Sequence, residues 1–144
     1  MPQLTFPFDL NGMFVDVLIC PGGKQLSDFQ ATGLPLPHPV WGRGVIDTGT
    51  NVTAVSLHIL QRLGIPQGAF TSSQGIGGPF TSHYYEVSLS ITDKSVLSNP
   101  SYCPPDVSVI HLDVPEIDVL IGLDLLMACV LTIDGPARRF TLDF

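Results

Sequence analysis

An acid closes one of the apolar strand signals of this chain. In GVIDTGTNVTAVS, residues 44–56, Val45 and Ile46 lead straight into Asp47, and Thr48, Gly49 and Thr50 follow at once. A carboxylate at the inner end of a buried strand is costly unless it is paired or hydrogen-bonded. The fold must therefore either bring other groups to Asp47 or end the strand in a turn, where Asp47 bonds the backbone two residues on.

The rest of the chain limits how that happens. With 14 Gly and 13 Pro among 144 residues, it suits short strands and tight turns better than long helices. LTFPFDLNGMFVDVLIC (4–20) reads as two extended runs about Asn11-Gly12, a strong hairpin signal. PGGKQLSDFQATGLPLPHPVWGR (21–43) shows no sustained period and reads as an extended hairpin or functional loop. SLHILQRLG (56–64) predicts a short helix, with Leu57, Leu60 and Leu63 near one face, Ser56 as cap and Gly64 as stop. Tyr85, Val87, Leu89 and Ile91 alternate with polar residues, the signature of a half-buried strand, and the cluster Gly75-Ile76-Gly77-Gly78 before them reads as a hairpin tip. VSVIHL and DVLIG are further strands, GLDLLMA opens a short helix, and LTIDGPARRFTLDF closes the chain as a hairpin turning at Asp134-Gly135-Pro136. The expectation is an all-β fold with one or two short helices, built as a single domain over 1–144.

Composition removes several function classes. Hydrophobic residues make up 44% and charged ones 13%, as in a globular chain. A net charge of -7, with no basic cluster beyond Arg138-Arg139, argues against nucleic acid. Cys20, Cys103 and Cys129 are odd in number and scattered, and MPQLTFPFDL lacks the basic start and apolar core of an export signal. Both features point to a reducing, cytoplasmic setting. No run reaches the ~20 apolar residues of a membrane span. His38, His58, His83 and His111 lack metal-ligand spacing, so neither metal nor cofactor is expected. There is no Gly-x-Ser-x-Gly elbow. Asn51-Val52-Thr53 reads as a chance sequon, Cys103 before Pro104-Pro105 as a buried or loop thiol, and Asp113, Glu116 and Asp118 as a solvated loop.

Four features in order carry a resemblance. Asp47-Thr48-Gly49 ends a strand, a Gly-rich tip precedes an alternating strand, Leu120-Ile121-Gly122 leads into LDLL, and RRFTLDF ends the chain. From Met13 to Phe144 this arrangement resembles the retropepsin-like aspartic proteases. The resemblance implies a closed β-barrel-type acid protease fold and hydrolysis of an extended peptide or protein substrate through an Asp dyad. The chain offers a single Asp-Thr-Gly, so it implies a homodimer with one Asp47 from each copy.

The resemblance also assigns roles. Thr48 would lock the two active-site loops across the dimer axis, and Gly49 would allow a sharp turn and close substrate approach. Thr50, where the family usually has Ala or Ser, would hydrogen-bond the Asp47 carboxylate. Ile121, Gly122 and Asp124 form a structural second signature, Gly122 allowing close packing against the active-site loop. Leu123 departs from the Arg that viral members often carry. Gly75, Gly77 and Gly78 would let a flap open and close while Ile76 covers the substrate. Val45, Val52 and Phe80 would form apolar pocket walls, and LTFPF and FTLDF would form the dimer sheet. The alternative to an endopeptidase is a catalytically weak or inactive dimerisation or binding module of a larger protein, with the 21–43 segment occluding, gating or binding.

Overall fold

The computed structural model describes residues 1–75, 77–96 and 98–144. In chain order its first elements are β1 (Gln3–Pro7), β2 (Phe14–Pro21), α1 (Gly23–Thr32), β3 (Val40–Ile46), β4 (Ala54–Ser56), α2 (Leu57–Arg62) and β5 (Phe70–Gly75). There follow β6 (Gly78–His83), β7 (Tyr85–Thr92), β8 (Val107–Leu112), β9 (Val119–Ile121), α3 (Leu123–Leu126), β10 (Val130–Asp134) and β11 (Arg139–Asp143). The all-β expectation holds.

Period-two burial builds the barrel. Val15, Val17 and Ile19 on β2 point inward, as do Tyr85, Val87, Leu89 and Ile91 on β7. A sheet that is apolar on one face hides that face and removes its edges by closing on itself. The order around the closed barrel is β2-β3-β9-β4-β8-β7. Ile59, Leu60 and Leu63 of α2 and its C-cap, with Leu125 and Leu126 of α3, join the same core. Ser56 occupies the N-cap of α2, but its hydroxyl pairs with His58 Nδ1 at 2.7 Å and makes no cap bond.

The ends of the chain form a separate three-stranded sheet in the order β1-β11-β10. Its inner face carries Leu4, Phe6, Phe140 and Leu142, each at most 7% exposed, with Phe6 stacked on Phe140 at 5.4 Å. One expectation is corrected here. The turn before Gly12 exists, with Gly12 N donating to Asp9 O at 3.2 Å, yet β1 and β2 do not form a hairpin. After the Asp9–Gly12 bridge β1 joins β11 while β2 enters the barrel, because each finds a larger apolar face elsewhere. The LTFPF and FTLDF strands pair with each other inside one chain, in the register Leu4 to Leu142 and Phe6 to Phe140.

The 21–43 segment is not a plain loop, since it contains α1. None of the residues of α1 is buried, so it carries no apolar stripe for a sequence reading to find. It starts on a distant group, the Asp106 carboxylate accepting from Gly23 N at 2.6 Å, and stops on left-handed Gly33. That stop, Gly33 with Pro35 beyond it, was legible as a helix end. Asp118 is also more than a solvated loop residue. Its Oδ2 accepts from Arg43 N at 2.8 Å and its carbonyl from Ser56 N at 2.7 Å, which ties β3 and β4 to the start of β9.

All three cysteines are free, Cys103 exposed in a loop and Cys20 and Cys129 half-buried. Burial pushes the Cys20 and Cys129 thiols up, and the thiolate is the reactive form. A maleimide at neutral pH should therefore label Cys103 first and the other two several-fold more slowly in the folded protein. Equal rates read by mass spectrometry would contradict this packing. Among the described residues no helix is long and apolar enough to cross a membrane.

Candidate active site

β9 lies between β3, its parallel partner, and β4, its antiparallel partner. The chain leaving β3 must therefore pass over the end of β9 before returning as β4, and residues 47–53 are that passage. Three backbone bonds pin it to the end of β9 and the chain that follows. Asp47 N donates to Ile121 O at 3.0 Å, Leu123 N to Thr50 O at 2.9 Å, and Asp124 N to Asn51 O at 3.2 Å.

Thr53 stiffens the passage from within. Fully buried, it donates its hydroxyl to Asp124 Oδ1 at 2.6 Å and its N–H to Oδ2 at 2.9 Å, while its Oγ1 accepts from Gly122 N at 3.1 Å. Asp124 Oδ1 also accepts from Leu125 N at 2.9 Å. The sequence reading assigned Asp124 a structural part but overlooked Thr53; the available signal was a hydroxyl set in the apolar run Val52 to Val55.

Gly122 is a position where a side chain does not fit. A Cβ there would lie 2.9 Å from the Val52 carbonyl carbon and 3.1 Å from Thr50 O, both backbone atoms of the Asp47 passage. Gly122→Ala should destabilise the protein by about 1–3 kcal/mol, the usual cost of overpacking, and displace residues 50–52. A denaturant midpoint equal to that of the unmodified protein would show that the passage yields without strain.

Asp47 itself is half-buried, and its Oδ1 accepts from Gly49 N at 2.8 Å. This is the turn bond that a strand-ending Asp makes, and among the described residues no hydrogen bond reaches the other oxygen. The Thr50 hydroxyl does not bond Asp47 as expected. It donates to Val52 O at 3.3 Å, because its methyl packs toward Gly122 on the inner side of the passage.

Above this passage lies a cleft of about 470 Å³, lined by Asp47, Gly49, Thr50, Asn51 and Val52 from below. Ser73, Gln74, Gly75 and Phe80 of the β5–β6 hairpin, with Ile110 and Leu120, complete it. Among the described residues Asp47 is the one ionisable group in that lining. Ile110 and Leu120 were not singled out from the sequence; Leu120 lies between the core residues Val119 and Ile121 on β9, and Ile110 follows the core residue Val109 on β8.

The other predicted residues fall as follows. Thr48 is exposed at the loop tip and outside the cleft lining. Ile121 is buried in the barrel, and its carbonyl accepts from Asp47 N. Gly75 pairs with Gly78 at the end of the β5–β6 hairpin, Gly78 at φ +109°, with Gly77 between them. Ile76 lies outside the described residues. Val45 is not a cleft residue; its Cγ2 lies 3.4 Å from where a Cβ on Gly12 would sit. Period two sends Ile46 inward and Val45 the opposite way. Among the described residues none of the 21–43 segment lines the cleft. Its last residues, Val40 to Arg43, already belong to β3, which carries Asp47 at its other end.

A closed barrel with a strand-flanked Asp passage and an overlying hairpin is the retropepsin-like fold. A retropepsin-like aspartic protease from Rickettsia conorii aligns with a TM-score of 0.56 at 13% identity, covering 97% of this chain and 89% of that one. EIAV protease complexed with the inhibitor HBY-793 aligns at TM-score 0.46 and 17% identity, over 85% of this chain and 93% of that one. The retroviral protease-like domain of Ddi1 from Leishmania major aligns at 0.45 and 16%, over 91% and 89%. No family model matches the chain, and no curated protein does.

Proposed function

We propose that the protein is a homodimeric aspartic endopeptidase in which Asp47 from each of two copies forms the catalytic dyad. The observation that carries this reading is Asp47, among the described residues the one ionisable group lining the cleft, with one oxygen held by Gly49 N–H. The name of the Rickettsia protein that shares the fold supports it.

Peptide hydrolysis needs a water deprotonated while the carbonyl oxygen is protonated. Two carboxyls about 3 Å apart cannot both ionise, so a dyad shares one proton. The ionised Asp47 takes a proton from water as the oxygen attacks the carbonyl carbon, and the protonated Asp47 gives its proton to the carbonyl oxygen. Collapse of the tetrahedral adduct breaks the C–N bond, and the nitrogen leaves with a proton returned through the dyad. Val52, Phe80, Ile110 and Leu120 suit apolar side chains beside the scissile bond. The β5–β6 hairpin covers an extended peptide and hydrogen-bonds its backbone, with Gly75, Gly77 and Gly78 allowing it to open. Thr48, exposed at the loop tip, meets its counterpart across the dimer axis. The enzyme works on the acid side of neutrality, and its three free thiols suit a reducing cytoplasm.

The test follows specific activity on an unfolded protein during serial dilution, beside sedimentation of the same samples. Activity should fall as dimer gives way to monomer. Constant specific activity in samples that sediment as monomer would rule out the shared dyad. A stable dimer that cleaves nothing would favour the pairing-module reading instead.

A further inference from the structure

β5 and β6 form a two-stranded sheet of their own, so among the described residues no ladder of backbone bonds fixes the hairpin to the barrel. Apolar packing does not fix it either. Across Phe70–Gly75 and Gly78–His83 the one buried residue is Ser82, at 3% exposure. The bonds at the base of the hairpin run between its two legs. Gly68 N donates to Tyr84 O at 2.7 Å, Tyr84 N to Ala69 O at 2.9 Å, and His83 Nδ1 to Gly68 O at 3.1 Å. These close the hairpin and leave it free to swing as a unit. Among the described residues a single hydrogen bond joins β5 or β6 to a barrel strand, between Ser82 Oγ and His111 Nδ1 of β8 at 2.8 Å.

A third group fixes the direction of that bond. Ser82 Oγ lies 3.1 Å from His83 O, and a carbonyl can only accept, so the hydroxyl proton goes there. Ser82 Oγ therefore accepts from His111, whose Nδ1 carries the proton. Nδ1 is a donor in that neutral tautomer and in the cation alike, so the bond does not depend on the charge of His111. His111 is itself held firmly, since β8 has β4 on one side and β7 on the other, with Val55 opposite His111. The pair also stands beside the cleft. Ile110 precedes His111 and Phe80 lies two residues before Ser82, and both line the cleft.

We propose that His111 is a positioning residue, which through Ser82 holds the β5–β6 hairpin over the Asp47 passage. The consequence for cleavage rests on the reading just given, in which substrate binds beneath the hairpin. A hairpin in place for only a fraction of the time weakens substrate binding by that fraction. The chemical step is spared, because neither Ser82 nor His111 lines the cleft.

NMR relaxation on the full chain measures the hairpin whether or not the protein cleaves anything. In the unmodified protein the backbone order parameters at 70–73 and 80–83 should lie near the rigid value of about 0.85, and His111→Leu should take them below about 0.6. Ser82→Ala deletes one atom and covers the case in which His111→Leu disturbs β8. It should loosen the hairpin as far, and the two changes together should do no more than either, since they break the same bond. His111→Asn puts an amide donor near the place of Nδ1 and should restore the rigid values. In cleavage, His111→Leu should raise KM about tenfold, the scale of one lost buried hydrogen bond, with kcat nearly unchanged, and His111→Asn should bring KM back. A hairpin that stays rigid in both single variants would overturn the proposal whatever the activity. A loosened hairpin with KM unchanged would overturn the positioning role. A hairpin loosened by these changes in a protein that cleaves nothing would support the Ser82–His111 joint and overturn the endopeptidase reading.

Discussion

Asp47→Asn should lower cleavage of an unfolded test protein by a factor on the order of 10³ or more, the scale of losing general acid–base catalysis, while fold and dimer persist. Asparagine is nearly the same size and retains Oδ1, so it still accepts from Gly49 N–H at the 2.8 Å position that shapes the turn. What it loses is the charge. With two amides facing each other, no group in the dyad can take a proton from water or return one to the leaving nitrogen. The assay compares the two proteins from acid to neutral pH, with circular dichroism and sedimentation as controls. Equal cleavage by both would mean that Asp47 is only a turn residue and that the activity comes from elsewhere. Cleavage by neither would move the weight to the pairing module.

Asp124→Ala should destabilise the protein by about 3 kcal/mol, although Asp124 takes no part in the proposed chemistry. Its carboxylate accepts from Thr53 N, Thr53 Oγ1 and Leu125 N at 2.6–2.9 Å. Hydrogen bonds to a charged group each contribute roughly 1.5–3 kcal/mol, and a buried donor left unpaired costs about 1–3 kcal/mol. Water can reach the exposed side of Asp124 and replace the Leu125 bond, but Thr53 is 0% exposed and its donors have no substitute. Because the Thr53 hydroxyl also accepts from Gly122 N, the loss spreads to the chain that pins Thr50 and Asn51. Activity should therefore fall together with stability. For a chain of this size the melting temperature should drop by roughly 6–12 °C. A shift of a degree or less would show that the Thr53–Asp124 pair does not hold the passage.

The two substitutions separate what each acid does. Asn at position 47 should remove activity and spare stability, and Ala at position 124 should lower stability first. The reverse pattern would exchange their roles.

Residues near in sequence were enough for much of this. Alternation along Tyr85 to Ile91 specifies a strand with one buried face, since successive side chains must point to opposite sides. Gly64 and Gly78 sit at positive φ where a turn needs them. An acid closing an apolar strand, with Gly two residues on, already contains the Gly49–Asp47 bond, because donor and acceptor belong to the same turn. All-β content, the short helices α2 and α3, and the Gly-rich hairpin follow from local rules of this kind.

Only the tertiary structure decided what each local piece would meet. The pattern LTFPF says that Leu4 and Phe6 share a face, but not that β11 rather than β2 lies beside them; only competition among the assembled apolar faces selects that partner. Helix α1 begins on Asp106, 83 positions away, and Thr53 is held by Asp124, 71 positions away, so no window of sequence contains either bond. Thr50 illustrates the same limit at short range. Its hydroxyl has Asp47 within three residues, yet packing against Gly122 turns it to the Val52 carbonyl. Local chemistry sets which bonds a residue can make, and long-range packing chooses among them because burial leaves room for only one.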